Sequence, residues 1–334
     1  MRNRSLVVLL LLLLAAGQAT GQSQKPEDFG YRHLQTIYKG DTVHVLVWSR
    51  SGEEQRPKPL FLFDQGSLPK PLIITDSLGA YGLFPFKSDS LLRDYHLAII
   101  GKPFVPVVAR KESLGARFAY LDPTTGQAPE GYLRRDHVGY YVNRNLATIR
   151  FLRAQPWVGK EKLVLAGHSA GATVMTRLAA RLKDATHLIL SNGNPMGRIL
   201  SMVGQGRAAD STGADAEDTF RYWERVVAYP DSTAKPGGGD SNKTTFDFSE
   251  PVVDDIKKLR IPVLVTYGTR DYCAPYNDYL RVELIRAKKK HVQFKGYPGL
   301  EHNYIGFKPD GTLDYDNFNW DRVAADWWRW LREE

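Results

Sequence analysis

Gly167-His-Ser-Ala-Gly171 sets a serine between two glycines. A serine hydroxyl is a poor nucleophile at neutral pH. It needs a general base within hydrogen-bonding reach, and the base needs a carboxylate to orient it. Three histidines lie downstream of Ser169: His187, His291 and His302. His187 and His291 each open an apolar, strand-like run, where packing accounts for them. His302 falls beyond the last such run, in Gly296-Tyr-Pro-Gly-Leu-Glu-His-Asn303. A loop there can carry an imidazole back toward the serine. For the carboxylate, Val263-Leu-Val-Thr-Tyr-Gly-Thr-Arg-Asp271 reads as a strand followed by a turn. That puts Asp271 at the strand's carboxyl end, the end that also carries Ser169. Asp278 opens a helix, Glu301 adjoins His302 and adjacent side chains on a loop seldom face one another, and Asp254 and Asp255 precede the strand. The spacing therefore predicts Ser169 as nucleophile, His302 as base and Asp271 as orienting acid, in the order expected for a strand–turn–helix nucleophile.

Attack on a carbonyl also needs N–H donors aimed at the developing oxyanion, each worth about 3–4 kcal/mol. The Ala170 N–H, next to the nucleophile and at the positive end of a helix, is one candidate. Leu60-Phe-Leu-Phe-Asp-Gln-Gly-Ser67 offers the second, as a strand that runs into a loop. Ser67 or Leu68 would supply the backbone donor, Gly66 lets the backbone approach closely, and Gln65 is a candidate side-chain contact.

These residues must be held by a scaffold, and the chain alternates strand and helix patterns. Strand-like runs occur at Val43–Trp48, Leu60–Phe63, Leu97–Ile100, Leu163–Ala166, Leu188–Leu190, Val263–Tyr267 and Val292–Phe294. Helical patterns occupy Val138–Arg153, Ala170–Leu182, Tyr279–Ala287 and Trp320–Leu331. Such alternation predicts a mostly parallel sheet covered by helices. Strands apolar throughout, such as Leu163-Val-Leu-Ala166, are expected to be buried on both faces. Leu163–Ala166 leads straight into the serine turn, and Ala170–Leu182 follows at once, the setting a nucleophile turn requires. From about 195 to 256 the rhythm breaks, with abundant Gly, Asp, Ser and Thr. This segment is expected to be an insertion over the open end of the sheet, a cap, on which Tyr222 and Trp223 are candidate substrate contacts. Trp327, Trp328 and Trp330 are expected to pack the terminal helix on the sheet.

The 334 residues carry a formal charge of +8, with 43% hydrophobic and 25% charged residues, and are sufficient for a sizeable core. Arg2 and Arg4, an apolar run from Leu6 to Ala16, and the small residues Ala19 and Gly21 form a secretory-leader pattern over 1–21. The run falls short of the roughly 20 apolar residues of a membrane span. The mature chain, 22–334, is thus expected to be exported to a periplasm or the outside, without stable membrane insertion. The longest Lys/Arg run is three residues, at 288–290, which argues against nucleic-acid binding. Cys273 is the sole cysteine, so no intramolecular disulfide forms. No His/Cys/Asp grouping has metal-ligand spacing and no glycine-rich phosphate loop occurs, so neither a metal nor a cofactor is expected.

Gly167-His-Ser-Ala-Gly171, Gly268-Thr-Arg-Asp271 and Glu301-His302, in that order, resemble the α/β-hydrolase superfamily. The resemblance spans nearly the whole mature chain. It implies an eight-stranded, mostly parallel sheet and a Ser169–His302–Asp271 triad. One departure is Gln65-Gly66, where most members carry His-Gly, and it leaves the second oxyanion donor open. The expected activity is hydrolysis of a small-molecule carboxylic ester through an acyl-enzyme on Ser169. Cleavage of an amide or peptide bond is the alternative within the same chemistry, and a non-catalytic binding protein the alternative outside it. Oligomeric state is not legible.

Overall fold

A computed structural model describes residues 24–81, 84–234 and 239–334. The leader expected at 1–21 lies outside the described residues. The central sheet has eight strands. In chain order they are β1 (Arg32–Tyr38), β2 (Asp41–Trp48), β3 (Lys58–Asp64), β4 (His96–Ile100), β5 (Val158–His168), β6 (His187–Ser191), β7 (Val263–Gly268) and β8 (Val292–Tyr297). Their spatial order is β1-β2-β4-β3-β5-β6-β7-β8. β2 runs antiparallel to both its neighbours, and every pairing from β4 to β8 is parallel. The expected eight-stranded, mostly parallel sheet is what the structure shows.

Successive side chains of a strand point to opposite faces, and the apolar runs supply both. Leu60, Leu62, Leu163, Leu165, Leu188, Leu190, Val263 and Val265 form one core. Phe61, Phe63, Val164, Ala166, Ile189 and Leu264 form the other. Fully burying one such side chain is worth about 1.5–3 kcal/mol, so a one-residue register slip would be costly on both sides. Helices α1 (Val138–Arg153), α2 (Ala170–Ala179) and α7 (Ala274–Arg286) close the first core. α8 (Trp320–Glu333) closes the second, with Trp320, Val323, Ala324, Trp327, Trp330 and Leu331 buried at helical spacing. Trp328 stays at the margin, where its indole N–H donates to Asp94 at 2.8 Å.

The segment from 195 to 256 is largely helical. It contains α3 (Arg198–Ala209), α4 (Ala214–Ala228), α5 (Asn242–Phe248) and α6 (Val253–Lys258). Gly204 and Gly206 lie inside α3. A Cβ at Gly204 would stand 3.1 Å from the Tyr272 carbonyl, and one at Gly206 3.1 Å from the Ala216 nitrogen. The glycines thus let α3 press against α4 and against the loop that follows β7. The Tyr276 hydroxyl donates to the Leu200 carbonyl at 2.9 Å, and Ser201 Oγ lies 3.5 Å from Cys273 Sγ.

A second excursion has no counterpart in the sequence expectations. Ile73–Asp76, Gly79–Tyr81 and Val108–Arg110 form a separate three-stranded leaflet between β3 and β5. Among the described residues, no helix is long and apolar enough to cross a membrane.

Candidate active site

β5 delivers Ser169 to the carboxyl end of the sheet and α2 starts at the next residue. Ser169 has φ 57° and ψ −122°, a conformation that L-residues rarely adopt and that persists only where its surroundings impose it. The flanking glycines show what imposes it. A Cβ at Gly167 would lie 2.3 Å from the Gly171 carbonyl oxygen, and one at Gly171 2.4 Å from the Asp64 carbonyl oxygen. Neither position admits a side chain while β3, β5 and α2 remain so close. The Ser169 N–H donates to the Ser191 carbonyl at 2.9 Å, which ties the turn to β6.

His302 reaches this turn from the loop after β8. Its Nδ1 lies 2.9 Å from Asp271 Oδ2, and its Nε2 lies 2.9 Å from Ser169 Oγ. A carboxylate only accepts, so Nδ1 carries the proton and Nε2 presents its lone pair to the serine hydroxyl. The Asp271 side chain is fully buried, and the His302 side chain is 14% exposed. The other carboxylate oxygen of Asp271 accepts the Cys273 N–H at 3.0 Å. Tyr272 stacks on the His302 ring, 4.9 Å between centroids and 22° between planes. Ser169, Asp271 and His302, drawn from three separate loops, thus meet in one hydrogen-bonded line.

The loop after β3 forms the opposite wall. A Cβ at Gly66 would lie 3.6 Å from Ser169 Cβ and 3.9 Å from Ser169 Oγ, so this backbone faces the hydroxyl directly. The fully buried Tyr132 donates from its hydroxyl to the Ser67 carbonyl at 2.8 Å. That bond fixes the Ser67–Leu68 peptide, and with it the direction of the Leu68 N–H. Ala170 is the first residue of α2, where the helix itself provides no acceptor for the N–H. The Gln65 side-chain nitrogen is buried without a hydrogen-bond partner among the described residues. Behind the loop lies a buried set of charges. Burial pushes the Asp64 carboxyl up, opposed by the Lys102 and Arg144 cations. Burial likewise pushes Asp136 up, and the Asp240 charge adds to the effect.

His168, the residue before the nucleophile, packs against the site. Its ring centroid lies 5.1 Å from that of His302 and 4.9 Å from that of Trp320. Its Nδ1 is 3.2 Å from Ser191 Oγ, which is 2.8 Å from the Tyr304 hydroxyl. Burial, and then the neighbouring His302, hold this imidazole well below the ordinary histidine value. His168 is accordingly a neutral floor to the site.

Tyr222 and Trp223 contact residues of the same 195–256 segment. The Tyr222 hydroxyl is 2.8 Å from Thr245 Oγ1, and Trp223 stacks on Phe246. His137 caps α1, with its Nδ1 accepting the Tyr140 N–H at 3.2 Å. Among the described residues, the fold brings together a grouping that sequence spacing does not reveal: ligand atoms of Asp271, Cys273 and His302 all lie within 4.8 Å of one another. Asp271 and His302 are engaged with each other there, and burial pushes the Cys273 thiol up, which keeps it protonated. Sequence reasoning missed Tyr132, Tyr272 and Asn192, none of which sits in a motif.

A family model described as alpha/beta hydrolase fold matches residues 138–306, just over half the chain. No curated protein matches. Among solved structures, Est1E from Butyrivibrio proteoclasticus is similar at 14% identity and a TM-score of 0.52, covering 90% of this chain and 98% of its own. The same protein with ferulic acid bound gives a TM-score of 0.56. The Pyrococcus horikoshii acylaminoacyl peptidase is similar at 15% identity and a TM-score of 0.51, over 81% of this chain but only 37% of its own length. Identities this low speak to fold alone. The fold, the sheet order and the family match agree: the chain belongs to the α/β-hydrolase fold family.

Proposed function

We propose that the protein is an exported serine hydrolase that cleaves carboxylic esters through an acyl-enzyme on Ser169. The observation that carries this reading is the Asp271–His302–Ser169 line, with both links at 2.9 Å. Nε2 of His302 takes the hydroxyl proton as Ser169 Oγ bonds to the ester carbonyl carbon. The carbonyl electron pair moves to oxygen, where the Ala170 N–H and a donor from the Gly66–Leu68 loop meet it. The unpartnered Gln65 nitrogen is a further donor on that loop. Collapse of the intermediate expels the alkoxide, which leaves as alcohol with the proton from Nε2. Water then repeats the sequence and releases the acid, while Asp271 holds the imidazole in the tautomer both halves require.

An ester is favoured over an amide by overlap with the neighbours. Est1E, the protein seen with ferulic acid, is covered over 98% of its length, the peptidase over only 37%. The helical insertion is read as the wall of the acyl pocket, with Tyr222 and Trp223 on it. Export rests on the leader pattern at 1–21. A panel of p-nitrophenyl esters and aminoacyl p-nitroanilides, assayed with the mature chain and its Ser169→Ala variant, tests the reading. Ester turnover lost in the variant is the expected result. Anilide turnover well above ester turnover would move the assignment to a peptidase, and unchanged turnover in the variant would remove Ser169 from the chemistry.

A further inference from the structure

Asn192 follows the last residue of β6 and is 1% exposed. Its φ of 46° lies in the left-handed region, which asparagine tolerates better than most residues. Three hydrogen bonds hold it there. Its N–H donates to the Thr266 carbonyl on β7 at 2.8 Å. Its side-chain oxygen accepts the Gly268 N–H at 2.9 Å, and its side-chain nitrogen donates to the His302 carbonyl at 2.7 Å.

The two side-chain bonds go to different loops. Gly268 ends β7 and opens the turn that carries Asp271, whose N–H returns to the Gly268 carbonyl at 3.1 Å. His302 sits on the loop after β8. The loops also touch backbone to backbone: a Cβ at Gly268 would stand 2.2 Å from the Leu300 carbonyl oxygen, and the Arg270 N–H donates to that same carbonyl at 2.9 Å. The same Cβ would stand 2.6 Å from the Glu301 carbonyl oxygen, so that contact ends one residue short of His302. At His302 itself, the Asn192 amide bonds the main chain of the residue that bears the imidazole.

We propose that Asn192 is a positioning residue that fixes the offset between the acid loop and the histidine loop. It thereby keeps His302 Nδ1 on Asp271 and Nε2 on Ser169 at the same time. The inference rests on the reading of Ser169, His302 and Asp271 as the reacting groups. Its physical basis is that both contacts of the imidazole are set by one rigid ring. A displaced main chain at 302 cannot be corrected at one end without being spoiled at the other. A misplacement of about 1 Å at a reacting group can cost about 10²-fold in rate.

Two substitutions separate the amide from the backbone. Asn192→Gly accepts the left-handed conformation without strain and removes both side-chain bonds. Asn192→Asp keeps the size and the acceptor for Gly268, and as a carboxylate it cannot donate to the His302 carbonyl. Each is assayed with a p-nitrophenyl ester well below its own unfolding midpoint, beside wild type and Ser169→Ala. The expected result is a fall of about 10²-fold in kcat with KM within roughly twofold, because the ground-state ester does not sense the imidazole. The rate of inactivation by a fluorophosphonate is expected to fall in parallel. A folded Asn192→Gly or Asn192→Asp with near-wild-type kcat, beside an inactive Ser169→Ala, would overturn the positioning role and leave the nucleophile intact. So would a kcat loss that merely tracks the folded fraction. An active Ser169→Ala would overturn the underlying reading instead.

Discussion

Replacing Gly66 with alanine separates the space the folded protein needs from the space the reaction needs. The added methyl would lie 3.6 Å from Ser169 Cβ and 3.9 Å from Ser169 Oγ, both ordinary contact distances. Gly66 is not among the glycines with positive φ, so alanine meets no conformational penalty. The free protein therefore accepts the change, and its stability is expected to move by no more than about 0.5 kcal/mol. The substrate does not accept it. A carbonyl carbon poised for attack must come within about 3–3.5 Å of Oγ, and its oxygen must enter the gap between Ser169 and the loop after β3, which the methyl now fills. The minimum loss is that of one oxyanion contact, about 2.7–4 kcal/mol, or about 10²–10³-fold in kcat. The assay is steady-state hydrolysis of p-nitrophenyl acetate together with thermal unfolding of the same preparation. A stable Gly66→Ala enzyme with wild-type kcat/KM would refute the placement of the oxyanion beside this loop. A large drop in unfolding midpoint would refute the claim that the gap exists for the substrate alone.

Two further outcomes follow from named contacts. Tyr132→Phe removes the donor to the Ser67 carbonyl, so kcat is expected to fall by about tenfold, the equivalent of one lost hydrogen bond of about 1.4 kcal/mol, with KM little changed. A lowered unfolding midpoint with unchanged kcat would make that bond purely structural. Burial, and then Lys162, lower the His187 imidazole to about 4 from an ordinary value of 6.5. The unfolded chain therefore binds a proton that the folded chain does not between those limits, and stability falls as pH drops from about 6.5 to about 4. In His187→Gln the unfolding midpoint is expected to decline less steeply over that window, and an unaltered slope would contradict the depressed value.

The sequence made legible whatever rests on short-range pattern. β5, the serine turn and α2 follow one another within a single stretch, so their setting is visible without coordinates. α1 was expected over the residues it occupies, because its buried positions recur at helical spacing. β1 was missed: Arg32-His-Leu-Gln-Thr-Ile-Tyr38 mixes polar and apolar residues and gains its structure by pairing with β2. α3 was hidden by Gly204 and Gly206, which lower helix propensity by about 1 kcal/mol each yet are required by the close approach of Tyr272 and α4. Strands of three or four residues in the leaflet between β3 and β5 carry too little periodicity to be seen. The positions of Asp271 and His302 after strands, at the end of the sheet that carries Ser169, were legible, whereas Asn192 and Tyr132 bond backbone groups distant in sequence. No residue-type pattern marks such partners.

The most direct test of the account is covalent. Incubating a chain of residues 22–334 with a fluorophosphonate, followed by intact mass and peptide mapping, is expected to give one adduct, on Ser169, at a rate that collapses when His302 is replaced by alanine. Labelling at another residue, or ester turnover by a chain that takes no label at Ser169, would contradict it.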